Sequence, residues 1–350
     1  MLNYIIVGAG LAATAFIQQL RKQNRSFIVI SDDSYQSSMV AGGLYNPVIL
    51  KRFTASYNAW HQTKLMRVYY NDLEDQFKGK YIYDTPLLRK FSSIEEQNNW
   101  FAAGDHPVLS HFLDPDLKQI NNVHVPAAFG FGKVNHSGWV DVKQSLSDIR
   151  GFLLSQGLLI NESFDYKALV HNEEQVVYKS FHAEKIVFCE GFGVINNLFF
   201  NVLPMVGTKG ELITIESKEL KLEQFIKSNL FIIPLGNDLY KVGATYHWDD
   251  KSPQPTLAGK SEIIKDLDQM INCPYTIIKH EAEIRPTTKD RQPFVGQHPL
   301  RRNLFILNGL GTRGVVQAPD LALALYNFIE FKIELPKEID IKRLKKIAWI

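Results

Sequence analysis

The feature that most constrains this chain is its opening segment, Tyr4-Ile5-Ile6-Val7-Gly8-Ala9-Gly10-Leu11-Ala12-Ala13. Tyr4 to Val7 is a short continuous apolar run and reads as a buried strand. Leu11, Ala12, Ala15, Phe16 and Leu20 then recur at helical spacing, and Ser26 to Ile30 reads as a second buried strand. A strand-turn-helix-strand unit with G-x-G-x-x-A at its turn is a dinucleotide-binding fingerprint; the alternative is a tight turn that merely resembles one. Gly8 serves the turn, Gly10 lets backbone approach a pyrophosphate, and small Ala13 lets helix pack closely on strand. The helix opens at Leu11 and Ala12, where N–H groups and the helix dipole favour negative charge. The acidic residue expected at the ribose, about 20 residues beyond the glycines, is displaced. Ser31 ends the second strand and Asp32 and Asp33 follow, so Asp32 is the expected ribose contact with Ser31 beside it.

With 350 residues and 45% hydrophobic content the chain can bury a large core, and its length suits two interlocked domains. Lys and Arg total 39 against 37 acidic residues, which gives no strong field for nucleic acid or membrane. The basic run Lys342-Arg343 with Lys345-Lys346 reads as a solvated tail. Cys189 and Cys273 are the only cysteines, so neither a disulfide framework nor a cysteine-rich metal site is expected, and Cys189 reads as a small core hydrophobe. No apolar run approaches the roughly 18 residues of a membrane span. The cofactor strand begins at the fourth residue, so a cleaved leader is not expected and a cytoplasmic protein is.

Beyond the second strand, Ser37 to Gly43 is rich in small residues, which lets backbone lie against something flat; an ordinary Gly-Asn-Pro loop is the alternative. Tyr57 to Phe77 reads as an amphipathic helix with Trp60, Leu65, Val68, Tyr69 and Leu73 toward the core. Residues 80–135 read as irregular with short strands, and Asp141 to Ser155 as a helix closed by Gly157. Leu158 to Ile160, Lys167 to His171 and Gln175 to Lys179 suggest a small meander. Ala183 to Gly191 reads as a buried strand returning to a parallel sheet. Leu203 to Ile215 leaves for the second domain. Leu230 to Pro234 and Leu239 to Tyr246 form a hairpin around Gly236-Asn237-Asp238, followed by a helix near Lys260 to Ile271 and a strand from Tyr275 to Ile284. Leu304 to Leu307 reads as a strand, Asn308 to Gly314 as a loop, and the chain through Ala322 to Ile329 as a helix.

Several separated stretches together resemble one family. They are Gly8-Ala9-Gly10, then Val242-Gly243-Ala244-Thr245, then Ile284-Arg285-Pro286-Thr287 through Lys289-Asp290, Pro293 and Gly296, and finally Asn308-Gly309-Leu310-Gly311 through Gly314 to Ala318-Pro319. Their order and spacing resemble the FAD-dependent amine oxidoreductases that include D-amino acid oxidase, glycine oxidase and monomeric sarcosine oxidase. The resemblance implies an α/β fold in which a Rossmann-like FAD-binding domain (1–75, 136–210 and 285–350) is interleaved with an α+β antiparallel-sheet substrate domain (76–135 and 211–284). It implies FAD, held noncovalently because no cysteine occupies the covalent position of the sarcosine oxidases. Gly309, Gly311, Thr312, Gly314 and Val315 would approach the pyrimidine end of the flavin, where backbone donors and a helix N-terminus suit the negative charge of a reduced ring. Ala41, Gly42 and Gly43 would pass beside the isoalloxazine, with Ser37, Ser38 and Gly191 as further cofactor contacts.

Arg285 is the expected carboxylate anchor, since its guanidinium fork matches a carboxylate in bidentate fashion; the alternative is an ion pair with Glu281 or Glu283. Arg313, in the glycine loop, is a second candidate; a surface arginine is the alternative. Lys241 precedes Val242-Gly243 much as a flavin-facing lysine does in monomeric sarcosine oxidase, although alternation also allows a solvent-facing lysine. Tyr246, with Tyr240 and His247, alternates around the same strand and would line the pocket; ordinary packing is the equal alternative. The implied reaction oxidises the C–N bond of a small or N-substituted amino acid by hydride transfer to flavin N5, with efficiency rising with pH toward the amine's pKa. Oxygen or another molecule would accept the electrons. The alternatives are a tRNA wobble-base carboxymethylamine oxidoreductase, which the near-zero net charge disfavours, and a flavin-binding protein without turnover.

Overall fold

A computed structural model describes residues 1–32, 37–345 and 347–349; Asp33 and Lys346 lie outside the described residues. The strand Leu2–Val7 sits inside an eight-stranded sheet, flanked in parallel by Phe27–Ile30 and Phe181–Phe188. Parallel partners on both sides explain why Tyr4 to Val7 is an unbroken apolar run with all four residues buried. Leu159–Ile160 extends this array beyond Phe27–Ile30, and Leu304–Asn308 extends it beyond Phe181–Phe188. Helices Leu11–Lys22 and Gly314–Phe331 share the core that covers one face, where Ala13, Phe16 and Leu20 meet residues such as Leu321, Ala322 and Leu325.

The expected three-strand meander is corrected. Only Leu169–His171 and Val176–Tyr178 form an antiparallel ribbon, which continues into Phe181–Phe188. Leu159–Ile160 instead returns parallel to Phe27–Ile30, because the helix Val142–Ser155 ends at left-handed Gly157 and delivers the chain back to that edge. The long helix runs Ala59–Phe77 and buries Met66, Tyr69, Tyr70 and Leu73, whereas Trp60 and Val68 are exposed rather than core.

A second sheet has seven strands in the order Thr276–Arg285, Thr208–Glu216, Leu239–Gly243, Phe231–Gly236, Phe225–Lys227, Leu87–Lys90 and Phe131–Val134. It is antiparallel except where Phe225–Lys227 meets Leu87–Lys90. The hairpin turn places both Asn237 and Asp238 at positive φ, the geometry that matches the right-handed twist of its strands. Between residues 80 and 135 the chain also forms the helix Ile94–Gly104. Ser93 Oγ accepts from the Glu96 N–H, while the Glu96 carboxylate accepts from Ser92 N.

Alternation along Thr208–Glu216 gives the second sheet two characters. Gly210 and Leu212 face a cavity. Lys209 and Glu211 face the other way and are almost fully buried; Lys209 Nζ donates to Asp250 and to the Gln254 carbonyl, and Glu211 accepts from the backbone and hydroxyl of Thr256. These charges are paired and hydrogen-bonded, so they anchor the segment after Tyr246 to the sheet.

Candidate active site

The ends of the parallel strands and the inner face of the second sheet enclose a cavity of about 1150 Å³. That exceeds the roughly 300–1,000 Å³ of a drug-sized site and leaves room for more than an amino acid. One end is formed by Gly8, Gly10, Leu11 and Ala12, together with Ser31, Asp32, Glu162 and Ser163. Gly8 has φ +103°, and a Cβ there would lie 2.5 Å from the Cys189 carbonyl oxygen, so the neighbouring strand itself demands glycine. The Asp32 carboxylate accepts from Ser163 Oγ, and Ser38 Oγ accepts from Leu11 N–H at 3.3 Å on the opening turn of the helix. Ala13 is fully buried and lies outside the cavity, where it packs helix against sheet.

Ser37, Ser38, Ala41, Gly42 and Gly43 line the middle. The room beside these last two glycines is taken by protein: a Cβ on Gly42 would lie 2.8 Å from Phe231 Cζ, and one on Gly43 2.7 Å from Trp139 Nε1. Gly191 and Gly311 are different. Both have positive φ, and a Cβ at either would come no nearer than 3.9 Å to any protein atom, so it would project into open space. Gly309, Thr312, Gly314 and Val315 line the same region, where the helix Gly314–Phe331 begins at Arg313 with no side-chain cap. Two helix N-termini whose own N-cap residues, Gly10 and Arg313, supply no capping side chain, and two unobstructed glycines along one cavity, fit an elongated anionic cofactor such as FAD.

Arg285 ends its strand with the guanidinium laid directly on Gly210, where a Cβ would be only 1.9 Å from Arg285 Nη2. It donates to the Thr245 carbonyl at 3.2 Å and to that of Lys209 at 3.4 Å, and it stands 5.3 Å from the Tyr246 ring centre. Neither Glu281 nor Glu283 pairs with it; Glu281 takes Lys279. Burial draws the Arg285 guanidinium down from its ordinary value, though Tyr246 opposes the shift. A half-buried arginine whose partners among the described residues are all neutral acceptors is matched to an incoming anion. Arg313 also lines the cavity and has no ion pair among the described residues; burial lowers it too.

Tyr246 lines the cavity but Lys241 does not. Lys241 lies on the same sheet face two residues before Gly243, opposite Thr214 and Ile233, and burial lowers its ammonium. Tyr240 points into the core on the other face, with its hydroxyl accepting from Leu222 N, and His247 pairs on the surface with Glu262. Both expectations for the pocket are therefore corrected by strand alternation.

Three cavity residues were not singled out from the sequence. Glu190 follows the buried strand Phe181–Phe188; burial pushes its carboxyl up to about 7 against hydrogen bonds from Tyr166 and Asn197. Its position directly before Gly191 was the available signal. Gly210 is identified only by the arginine above it. Lys227 ends the three-residue strand Phe225–Lys227, too short to show a period.

Residues 3–326 match the family model described as DAO, FAD dependent oxidoreductase. The chain belongs to this family of FAD-dependent oxidoreductases. It is 26% identical over 149 residues to the tRNA 5-methylaminomethyl-2-thiouridine biosynthesis bifunctional protein MnmC of Idiomarina loihiensis, covering 40% of this chain and 24% of that protein. It is 27% identical over 134 residues to the glycine oxidase of Bacillus subtilis, covering 36% of each. The matched stretches thus span about a quarter and about a third of those relatives. The glycine oxidase structure from Geobacillus kaustophilus superposes with a TM-score of 0.78 at 18% identity, covering 95% of both chains. That likeness confirms the mixed α/β fold expected of an FAD-dependent oxidoreductase. No helix among the described residues is long and apolar enough to cross a membrane.

Proposed function

We propose that this FAD-dependent oxidoreductase oxidises the C–N bond of a small or N-substituted amino acid and holds the substrate carboxylate on Arg285. The observation that carries the reading is the Arg285 guanidinium, turned into the cavity over Gly210 with, among the described residues, only backbone carbonyls and the Tyr246 ring as partners. The residues suited to a noncovalently bound FAD are Gly8, Gly10, Ser38, Gly191, Gly311 and the start of the helix at Gly314, with Asp32 at the ribose. When bound, FAD supplies the acceptor for the hydride leaving the carbon beside the nitrogen. The chain itself positions the substrate. Arg285 fixes the carboxylate, Tyr246 covers that arginine, and the walls limit water around the reacting carbon. No acid–base pair is required if the amine enters neutral, which is the basis for efficiency rising toward the amine's pKa.

Anaerobic titration of the flavin-loaded protein with glycine, sarcosine, proline and a D-amino acid panel tests this reading. Bleaching by one of them, lost in Arg285→Met with flavin still bound, is the expected result. Flavin that no small amine reduces would overturn it.

A second reading is supported by the similarity to the MnmC proteins: a carboxymethylamine group on tRNA would present the same carboxylate to Arg285. Lys51, Arg52 and Arg291, all exposed at the cavity, are placed to meet phosphates. Salt-sensitive tRNA binding together with silence toward free amino acids would favour it.

A further inference from the structure

Lys227, Phe231 and Leu212 all line the cavity and belong to one row of cross-strand partners, with Gly243 beneath the Leu212 side chain. Lys227 pairs with Phe231, Phe231 with Gly243, and Gly243 with Leu212. Gly210, which carries the Arg285 guanidinium, is two residues beyond Leu212 on the same face. Three strand spacings separate Lys227 from Leu212, about 14 Å between backbones, and Gly210 lies roughly 7 Å further along its own strand. Phe231 and Leu212 make the stretch between Lys227 and Gly210 apolar.

Both ends are cationic. Lys227 lines the cavity, is half-buried, and donates from Nζ to the Asn229 carbonyl at 2.7 Å. It has no carboxylate within ion-pair distance among the described residues. Burial first, then the charges of Arg89 and Arg285, push its ammonium down to about 8, and distant Asp266 opposes this only weakly. Arg89 itself is matched by Glu96, so the cations at the two ends that await an anion are Lys227 and Arg285.

Two such cations facing one another across an apolar floor are complementary to a molecule with an acid at each end. We propose that Lys227 anchors a second anionic group of the substrate, so that this site takes an amino acid carrying a second carboxylate on its side chain or on its nitrogen. One carboxylate lies on Arg285 and the other reaches Lys227 over Phe231. This rests on the reading of Arg285 as the carboxylate anchor.

The test is calorimetric titration of the FAD-loaded protein with butyrate and with succinate, glutarate and adipate. At pH 7 at least one diacid binds tenfold or more tightly than butyrate. Lys227→Met removes that advantage while butyrate affinity stays within twofold, and Arg285→Met weakens both kinds of acid. If Lys227→Met does not fold, the native protein suffices: the diacid advantage fades as pH passes about 8, where the free lysine loses its proton. Butyrate binding through Arg285 with no diacid advantage, or an advantage that survives in Lys227→Met or stays constant to high pH, overturns the proposal alone. A Lys227→Met variant that binds diacids normally and is slowed only in reoxidation by oxygen also overturns it. Absence of binding by every acid overturns it together with the Arg285 reading.

Discussion

Gly210→Ala separates positioning from folding at this site. The added Cβ would lie 1.9 Å from Arg285 Nη2 and 2.1 Å from its Cζ. Restoring ordinary contact moves the guanidinium by roughly 1.5 Å. Its donor distances of 3.2 and 3.4 Å to Thr245 and Lys209 have no such slack, so both bonds break. The fold should tolerate the change. Gly210 does not have positive φ, and the clashing atoms end a flexible side chain rather than belonging to backbone. Two lost bonds from a charged donor cost at most about 1.5–3 kcal/mol each, less where the displaced guanidinium meets water in the cavity, and alanine returns about 0.4–1 kcal/mol by restricting the unfolded chain.

Catalysis should not tolerate it. Hydrogen bonds to a charged group contribute about 1.5–3 kcal/mol, and a misplacement of about 1 Å can cost 10²-fold. The expected outcome is a drop of about 10²-fold in kcat/KM for flavin reduction, or about 2.7 kcal/mol. The assay is anaerobic stopped-flow reduction by whichever amine reduces the native protein, with calorimetric melting of the same samples. Reduction within threefold of native would refute the argument that Gly210 exists to seat the arginine.

Gly8→Ala should destabilise the protein and weaken flavin retention, because its Cβ meets the Cys189 carbonyl oxygen at 2.5 Å and φ is +103°. A melting midpoint unchanged from native would contradict this. Glu190 has a folded-state pKa of about 7, above its ordinary 4.5, so its contribution to stability is full below about 4.5 and is lost as pH climbs through 7. Glu190→Gln should therefore gain stability relative to native between pH 5 and pH 8 in paired melting curves, and an equal offset at both pH values would sink the idea. Lys241→Met should leave both substrate reduction and reoxidation by oxygen within about twofold, since Lys241 is not a cavity residue. A large loss in stopped-flow reoxidation would show that the lysine reaches the site after all.

The parts of the fold that are legible from sequence are those whose cause is local. Gly8, Gly10 and the apolar period after them lie within one turn of each other, and the parallel sheet around Tyr4 to Val7 follows from an unbroken apolar run. The helix Ile94–Gly104 was also written locally, in Ser93 three residues before Glu96, but the surrounding Phe, Pro and His residues obscured its period. Leu159–Ile160 pairs with Phe27–Ile30 rather than with its sequence neighbours, and two residues fix neither partner nor direction.

The two lysines of the second sheet show where local information stops. Lys241 lies on the face shared with Gly243, since side chains two apart lie on one side. What alternation cannot supply is the row. Lys241 lies opposite Ile233 and Thr214, whereas the cavity floor runs through the neighbouring row of Gly243, Phe231 and Leu212. Lys227 enters that row only because Phe225–Lys227 pairs with Phe231 on one side and with Leu87–Lys90, far away in sequence, on the other. Arg285 behaves likewise: its motif marks the residue, but the surface it rests on comes from the Thr208–Glu216 register, which sets Thr208 opposite Arg285 and Gly210 opposite Glu283. A residue's face is therefore a property of its own strand, while its place in the site is a property of the pairing.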